Sequence, residues 1–223
     1  MKIGLLSDVH GNLPALEAVL DDLPAVDRIV CAGDVVGYNP WPAACVERIR
    51  SVAAATVQGN HDRTVETPRQ YVHNEMAFAG LEYAAAELSE GQREWLRTRP
   101  EQVDIADGAY RMVHSHPDPD RRDAYVYPAD FAGLGEYVEE YDGLVLGHTH
   151  VQHRERVDGR AIVNPGSVGQ PRDGDPKAAY AVLDTETDEL SLRRTAYDIE
   201  RVRRKIEAEG LPADTARRLA RGR

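Results

Sequence analysis

Short apolar runs alternate with amphipathic stretches through the first 150 residues of the chain. Apolar runs of four or five residues that are bounded by polar or turn-forming residues predict buried strands. The amphipathic stretches predict helices, and the first follows Asn12, a good N-cap residue, with Pro14 in its first turn. This alternation predicts a layered α/β domain with a largely parallel sheet.

The pattern places strands at residues 3–6, 28–32, 53–57, 110–113 and 144–146. It places helices at residues 12–23, 42–50, 74–87 and 89–97, and near residues 130–141.

The pattern changes after residue 151, where strands with short turns between them replace the alternation. Strands are predicted at residues 151–157, 160–164, 178–184 and 190–196, and Asp158 and Gly159 make a good hairpin turn between the first two. We expect a second, mostly antiparallel sheet here. A surface helix is expected at about residues 198–220, fraying at the C-terminus. No domain boundary is evident, so residues 1–223 are interpreted as one domain.

Composition narrows the class of protein. The 223 residues are 42% hydrophobic and 29% charged, which is ordinary for a globular domain. No apolar run is long enough for a membrane span, and the N-terminus has no signal-peptide pattern, so a cytoplasmic protein is expected. Cys31 and Cys45 lie in predicted elements and are expected to be buried thiols.

The net charge is −11, which argues against a basic nucleic-acid-binding surface but not against a nucleotide in a metal-containing pocket. A homo-oligomer is compatible with this composition. The chain has only three lysines, Lys2, Lys177 and Lys205, against 24 arginines. An acidic surface with few lysines raises the hypothesis of salt adaptation, which a melting series up to molar salt would test.

Five polar blocks begin where predicted strands end. They are Asp8-Val9-His10, Gly33-Asp34, Gly59-Asn60-His61-Asp62, His114-Ser115-His116 and Gly147-His148-Thr149-His150. Sites in open α/β sheets form beyond the carboxyl ends of the strands, so all five blocks can meet at one rim. A single Asp at a strand end is usually a turn former or helix cap, but five blocks together favour a site.

Carboxylate, imidazole and amide groups without thiolates suit Mn, Fe, Zn, Co or Ni. Seven candidate ligands exceed the needs of one ion and predict two, and Asp34 is the candidate for the carboxylate between them. A metal pair activates a water and holds a phosphoryl oxygen. His61 is not needed as a ligand and is free to protonate a leaving oxygen or to stabilise phosphoryl charge.

The five blocks in this order resemble the calcineurin-like metallophosphoesterase family over nearly the whole chain. Two further stretches resemble its small prokaryotic phosphodiesterase branch: Gly33-Asp34-Val35-Val36-Gly37-Tyr38 and Asn164-Pro165-Gly166-Ser167-Val168-Gly169-Gln170-Pro171-Arg172. The resemblance implies a four-layer αββα sandwich, with two central mixed β-sheets flanked by helices.

The resemblance also implies roles for individual residues. Asp8, His10 and His150 would hold one divalent ion, and Asn60, His114 and His148 the other. Asp34 would bridge the two ions and His61 would be the catalytic imidazole. Among the possible metals, Mn²⁺ is the one expected to support activity in vitro.

Two departures from the family pattern matter. Gly37, Tyr38 and Asn39 stand where the family's protein phosphatases carry Asp-Arg-Gly, which disfavours a protein substrate. The usual His-Gly reads His114-Ser115 here, with His116 next. His114 is preferred as the ligand because it ends the strand.

Other residues keep two interpretations. Asp62 either orients His61 or caps the following segment, whereas His73 and His153 are expected to be solvated bystanders. The candidate substrate-binding residues are Arg121, Arg122 and Arg172, each of which is otherwise a surface arginine or a loop anchor.

The sequence thus favours a metal-dependent phosphoesterase that hydrolyses diesters or monoesters of small substrates, nucleotides among them. A metal-dependent nuclease is one alternative, which the acidic charge disfavours. A non-catalytic binding scaffold with the same fold is the other, and it would be expected to have lost ligands or His61.

Overall fold

Ten strands form two five-stranded sheets in the computed structural model, which describes residues 1–223. The strands are β1 Lys2–Leu6, β2 Arg28–Cys31, β3 Ala53–Thr56, β4 Gln102–Ile105, β5 Tyr110–Val113, β6 Gly143–Val145, β7 His153–Val157, β8 Arg160–Asn164, β9 Ala178–Asp184 and β10 Glu189–Thr195. The order is β10-β9-β1-β2-β3 in the first sheet and β4-β5-β6-β8-β7 in the second.

Both sheets are mixed. In the first, β1, β2 and β3 are parallel, whereas β9 and β10 run antiparallel to their neighbours. In the second, β5, β6 and β8 are parallel, and β4 and β7 pair antiparallel at its two edges. The predicted two mixed sheets are therefore confirmed.

The strands after residue 151 do not form a sheet of their own, so that prediction was wrong. The pair β7–β8 extends the sheet of β5 and β6, and the pair β9–β10 extends the sheet of β1. Each hairpin is antiparallel internally, as predicted, but its apolar residues are buried by joining an existing sheet. The structure also adds β4, for which no strand was predicted.

Seven α-helices and a 3₁₀ segment cover the sheets. The helices are α1 Leu13–Asp22, α2 Pro42–Val52, α3 Asn60–Thr64, α4 Glu75–Glu87, α5 Glu90–Arg97, α6 Ile199–Ala208 and α7 Ala213–Leu219. Asn12 caps α1 by accepting a hydrogen bond from the Ala15 amide at 3.2 Å, as its place before the helix predicted. The expected helix near residues 130–141 is instead a 3₁₀ segment, Pro128–Val138.

The layers follow from side-chain alternation along β1. Ile3 and Leu5 point between the two sheets, with Val30 and Val145, and Leu6 points to the opposite face, under α1 and α2. The outer face of the second sheet is covered by the 3₁₀ segment, whose Phe131 is fully buried. The result is a four-layer sandwich with the sheets inside.

The C-terminal residues form a helical pair and not one surface helix, so that prediction needs correction. A turn at Gly210 separates α6 from α7, and Leu211 fills the space between them. The pair packs its apolar side on Trp41 and Tyr83. The end of the chain is held as well, since the Gly174 amide donates to the Gly222 carbonyl at 2.9 Å.

Both cysteines are buried and free, as expected. The longest helix has 13 residues, and none combines the length and hydrophobicity that a bilayer crossing requires.

Candidate metal centre

The five polar blocks meet at one edge of the sandwich, between the two sheets. Asp8, Asp34 and Asn60 follow the parallel strands β1, β2 and β3, and His114 and His148 follow β5 and β6. Because the carboxyl ends of these strands lie at the same edge, residues up to 140 positions apart become neighbours. The expected convergence at one rim is thus seen in the structure.

The backbone at this edge is unusual. The φ angles of five polar residues at the site are positive: Asp8 53°, His10 47°, Asp34 53°, His148 68° and His150 59°. Such angles are uncommon outside glycine and persist only where the surrounding structure enforces them. Here, in the loops that follow the strands, they direct five side chains towards one another.

The first cluster contains Asp8, His10 and His150, all fully or almost fully buried. His10 donates through Nδ1 to the Val36 carbonyl at 3.0 Å, and His150 through Nδ1 to the Gln170 carbonyl at 2.6 Å. Since a carbonyl only accepts, each Nε2 is left with a lone pair. These two Nε2 atoms nevertheless face each other at 3.1 Å.

Asp8 adds a third lone pair to the same point. Its Oδ2 accepts from the Ser7 hydroxyl at 2.6 Å and from the His148 amide at 3.0 Å. Its Oδ1 is buried without a hydrogen-bond partner and lies 3.2 Å from His150 Nε2. Buried acceptors that converge without a donor fit a bound cation.

The second cluster contains Asp34, His114 and His148. His114 donates through Nδ1 to the Ala32 carbonyl at 2.7 Å, and its Nε2 lies 3.0 Å from Asn60 Oδ1. His148 donates through Nε2 to the Asp123 carbonyl at 3.1 Å, which leaves the lone pair of Nδ1 available to a metal ion. His114, and not His116, therefore joins this group.

Asp34 lies between the clusters. Its Oδ2 is 3.6 Å from His10 Nε2 and 3.4 Å from His114 Nε2. Its Oδ1 accepts from the His61 amide at 2.8 Å, which fixes the orientation of the carboxylate. One oxygen of Asp34 is thus shared by both clusters.

The carboxylate of Asp34 stays ionised and favours positive charge on His114. Burial acts to raise the pKa of Asp34, but the imidazoles of His114 and His61 outweigh it and lower that pKa. Burial likewise acts against charge on His114, yet the Asp34 carboxylate raises the pKa of His114 to about 10. The negative charge of Asp34 that favours a proton on His114 would also attract a divalent ion in its place.

His61 lies beside both clusters, and one of its ring nitrogens is within 4.8 Å of the candidate ligand atoms of His10 and Asp34. Its ring is packed between Tyr38 and Tyr71, with centroid distances of 4.8 and 4.9 Å. Its Nδ1 is buried without a partner, and burial lowers the pKa of His61 well below its usual value. Nε2 is the nitrogen that opens to the cavity.

Asp62 does not orient His61. Its carboxylate accepts hydrogen bonds from the amides of Val35 at 2.9 Å, Val36 at 3.2 Å and Gly59 at 3.1 Å. Of the two interpretations of Asp62, the capping role is the one that the structure supports.

Glycines allow the close packing around Asp34. A Cβ at Gly59 would lie 2.0 Å from Asp34 Oδ1, although the φ of Gly59 is an ordinary −83°. Gly33 has a φ of +92°, and a Cβ there would meet the Gly59 amide at 2.7 Å. Gly33 thus allows a left-handed turn before Asp34, and Gly59 allows the Asp34 carboxylate to approach the backbone before Asn60.

The ligand clusters open into a cavity of about 210 Å³. Arg172 lies on its wall, donating to Gln170 Oε1 at 2.7 Å and to the Tyr38 hydroxyl at 3.3 Å. Arg121 lines a neighbouring cleft, and Arg122 forms an ion pair with Glu101 at 2.5 Å. Of the three candidate arginines, only Arg172 lines the metal cavity.

Three tyrosines on the cavity wall were not identified as site residues from the sequence. Tyr38 belongs to a motif that carried the family resemblance, so a signal for it existed. Tyr71 and Tyr125 follow no strand and match no motif. The remaining histidines lie elsewhere: His73 is exposed, and His153 packs on Phe131.

Residues 1–188 match the family model of the calcineurin-like phosphoesterase superfamily domain. An uncharacterized protein of Methanocaldococcus jannaschii is 32% identical over 99% of this chain and 98% of its own length. A phosphodiesterase of Escherichia coli is 29% identical over 83% of this chain and 89% of its own length.

A solved structure gives the same result at the level of the fold. A metallophosphoesterase from Sphaerobacter thermophilus superposes with a TM-score of 0.87 and 34% identity, covering 100% of this chain and 99% of that one. The similarity therefore includes the C-terminal helical pair, which lies beyond the residues matched by the family model.

Proposed function

The chain belongs to the calcineurin-like phosphoesterase superfamily and is a hydrolase of phosphoester bonds, and on this premise we propose that it hydrolyses small phosphodiesters or phosphomonoesters with two divalent metal ions. The observation that carries the proposal is the convergence of lone pairs from His10, His150 and Asp8 at a buried point that has no donor.

The seven ligands divide into two sets in this proposal. Asp8, His10 and His150 hold one ion, Asn60, His114 and His148 hold the other, and Asp34 contributes to both. Imidazole, amide and carboxylate ligands suit Mn, Fe, Zn, Co or Ni, and Mn²⁺ is the ion that we expect to support activity in vitro. Bound there, the ions supply positive charge to phosphoryl oxygens and acidify a water molecule.

The chain's own side chains would do the rest. Arg172, on the cavity wall, binds a phosphoryl oxygen through guanidinium N–H groups that Gln170 and Tyr38 leave free. His61, with its proton on Nε2, donates a hydrogen bond to a phosphoryl or departing oxygen and stabilises the charge that develops there. The burial of Nδ1 against Gly37 keeps the other nitrogen directed to the cavity.

A small substrate is favoured over a protein. Gly37, Tyr38 and Asn39 occupy the positions of the protein-phosphatase Asp-Arg-Gly, and here they build the site wall: Tyr38 packs on His61, and Asn39 Nδ2 donates to the His10 carbonyl at 2.9 Å. The E. coli relative is named a phosphodiesterase, which makes a diester the first substrate to test.

Replacing His61 by Ala tests the catalytic part of the proposal. We expect kcat for bis(p-nitrophenyl) phosphate with Mn²⁺ to fall by about 10² or more, the usual loss on removing one hydrogen-bond donor to the transition state. Metal content, measured by mass spectrometry, should stay that of the wild type. His73→Ala, an exposed histidine in the segment that follows, is the control and should not lower kcat.

Unchanged turnover in His61→Ala would refute the role of His61. A wild-type protein that binds two metals but turns over no phosphomonoester, phosphodiester or dinucleotide with Mn, Fe, Zn, Co or Ni would favour the scaffold alternative.

A further inference from the structure

Two exposed tyrosines stand next to the metal cavity. The structure leaves three large hydrophobic side chains exposed: Val72 at 58%, Tyr125 at 51% and Tyr127 at 47%. Tyr125 lines the cavity, and Val72 directly follows Tyr71, which lines it as well. Two of the three exposed side chains, Tyr125 and Tyr127, therefore lie together next to the site, which marks a surface suited to contact.

The rings of Tyr125, Tyr127 and His148 form a stack. Tyr125 lies on His148 with a centroid distance of 4.3 Å and an interplanar angle of 24°. Tyr127 lies beside Tyr125 at 5.7 Å and 11°. The larger second distance means that the two tyrosines are offset, and each side chain stays about half exposed. A nearly parallel, offset pair of exposed rings suits a flat aromatic group.

The stack is held in place by its backbone. The side chain of Val126, between the two tyrosines in sequence, is packed into the core and is 4% exposed, whereas Tyr125 and Tyr127 lie beside each other at the surface. The segment is fixed at both ends: the Asp123 amide donates to the Ser115 hydroxyl at 3.0 Å, and the Tyr127 amide to Asp130 Oδ2 at 2.9 Å. A ligand that stacks here does not have to order the loop first.

We propose that Tyr125 and Tyr127 form a stacking platform for a nucleobase, so that the preferred substrates are phosphoesters of nucleosides. The inference rests on the proposed function. A nucleoside places its base one sugar away from its phosphate, and the platform begins on His148, a proposed metal ligand. A phosphate bound at the metals would therefore bring its base to the tyrosines.

A matched pair of diesters tests the platform. Methyl p-nitrophenyl phosphate and thymidine 5′-(p-nitrophenyl phosphate) release the same p-nitrophenolate and differ in the nucleoside alone. The wild type should show a higher kcat/KM for the thymidine ester. Tyr127→Ala should lower this preference roughly 5-fold or more, since stacking on one aromatic contributes about 1–3 kcal/mol per base.

Two further variants separate a stacking role from a structural one. Tyr127→Phe keeps the ring and should keep the preference. Tyr141→Ala removes a half-buried tyrosine that precedes β6, at the opposite end of that strand from His148, and should also leave the preference unchanged. A preference that is the same in Tyr127→Ala as in the wild type, or that is lost equally in Tyr127→Phe, would overturn the platform.

Equilibrium binding keeps the two proposals distinguishable. The Mn²⁺-loaded protein should bind thymidine 5′-monophosphate more tightly than methyl phosphate in calorimetry, and Tyr127→Ala should narrow the difference. If the wild type hydrolyses neither diester but shows this binding difference, the proposed function fails and the platform stands. If both diesters are hydrolysed at equal rates and both phosphates bind equally, the platform fails and the proposed function stands.

Discussion

The imidazole of His61 is held by ring packing and not by a hydrogen-bonded carboxylate. Tyr38 and Tyr71 lie on either side of it, and its Nδ1 has no partner. The adjacent carboxylate, Asp62, is fully used by three backbone amides. In the proposed role of His61, the direction of its Nε2–H towards the reacting oxygen depends on the two tyrosine rings.

Replacing Tyr71 by Ala should therefore lower kcat by up to about 10-fold, the equivalent of one aromatic contact, with little effect on KM. Tyr71 is half-buried in a short 3₁₀ turn, Pro68–Tyr71, so the fold should tolerate the change. Steady-state kinetics on a p-nitrophenyl diester would measure this change in kcat.

The Tyr71 hydroxyl also accepts a hydrogen bond from Asn60 Nδ2, and Tyr71→Phe removes that contact alone. Equal losses in the Ala and Phe variants would assign the effect to the hydroxyl instead.

At the same scale, the sequence predicts some site residues better than others. Residues that end a strand, such as Asp34 and His114, can be recognised because strand ends gather at one rim. Tyr71 and Tyr125 come from loops whose path depends on packing between distant segments, and local pattern carries no information on that. The role of Asp62 was open for the same reason, since its partners Val35 and Val36 are about 26 residues away.

Among the elements, the loop after β2 is held by a single side chain from another element, that of Asp62. It carries Asp34, and the Asp62 carboxylate, 1% exposed at the start of α3, binds two of its amides as well as the amide of Gly59. This ties the loop after β2 to the loop after β3, so that Asp34 and Asn60 keep a fixed separation.

Asp62→Ala should reduce the free energy of unfolding by about 2–4 kcal/mol, because it leaves three backbone amides without an acceptor, at least two of them buried. Asp62→Asn keeps one acceptor oxygen and should cost less. Urea denaturation would compare both with Asp214→Ala, which removes an exposed ion pair with Arg217 and should change stability by less than about 1 kcal/mol. An Asp62→Ala protein as stable as the control would show that these amides find other partners.

Elements with a strong periodic pattern were predicted closely, and irregular ones were not. Helices α4 and α5 lie within the predicted ranges 74–87 and 89–97, and the side chains of Asn74 and Ser89 cap them. Strand β4 has four residues at a sheet edge and only Ile105 buried, which is too little signal to detect. In Pro128–Val138, the glycines Gly133 and Gly135 weaken a regular α-helix, and the segment folds as 3₁₀ turns.

For the molecule as a whole, the order of the strands could not be obtained from local pattern. Strand β9 has six buried residues in succession, which predicts a strand covered on both faces but not its partner. It pairs with β1, more than 170 residues earlier in the chain. Only the family resemblance supplied the two mixed sheets, because pairing over such separations is decided by the packing of complete layers.

The C-terminal helical pair tests whether the chain folds as one unit. Val202 and Ile206 of α6 are fully buried in a cluster against which Trp41 packs, and Trp41 also packs on the main core, as Trp95 does. Ile206→Ala should therefore lower the free energy of unfolding by about 2–5 kcal/mol. Arg204→Ala, an exposed change on the same helix, should alter the free energy of unfolding by about 0.5 kcal/mol at most.

Since the two clusters share Trp41, the whole chain should unfold as one unit. Tryptophan fluorescence and far-ultraviolet circular dichroism should give one coincident urea transition, shifted as a whole in Ile206→Ala. A separate early transition in that variant, with β-sheet signal retained, would mean that residues 199–219 form an independent unit.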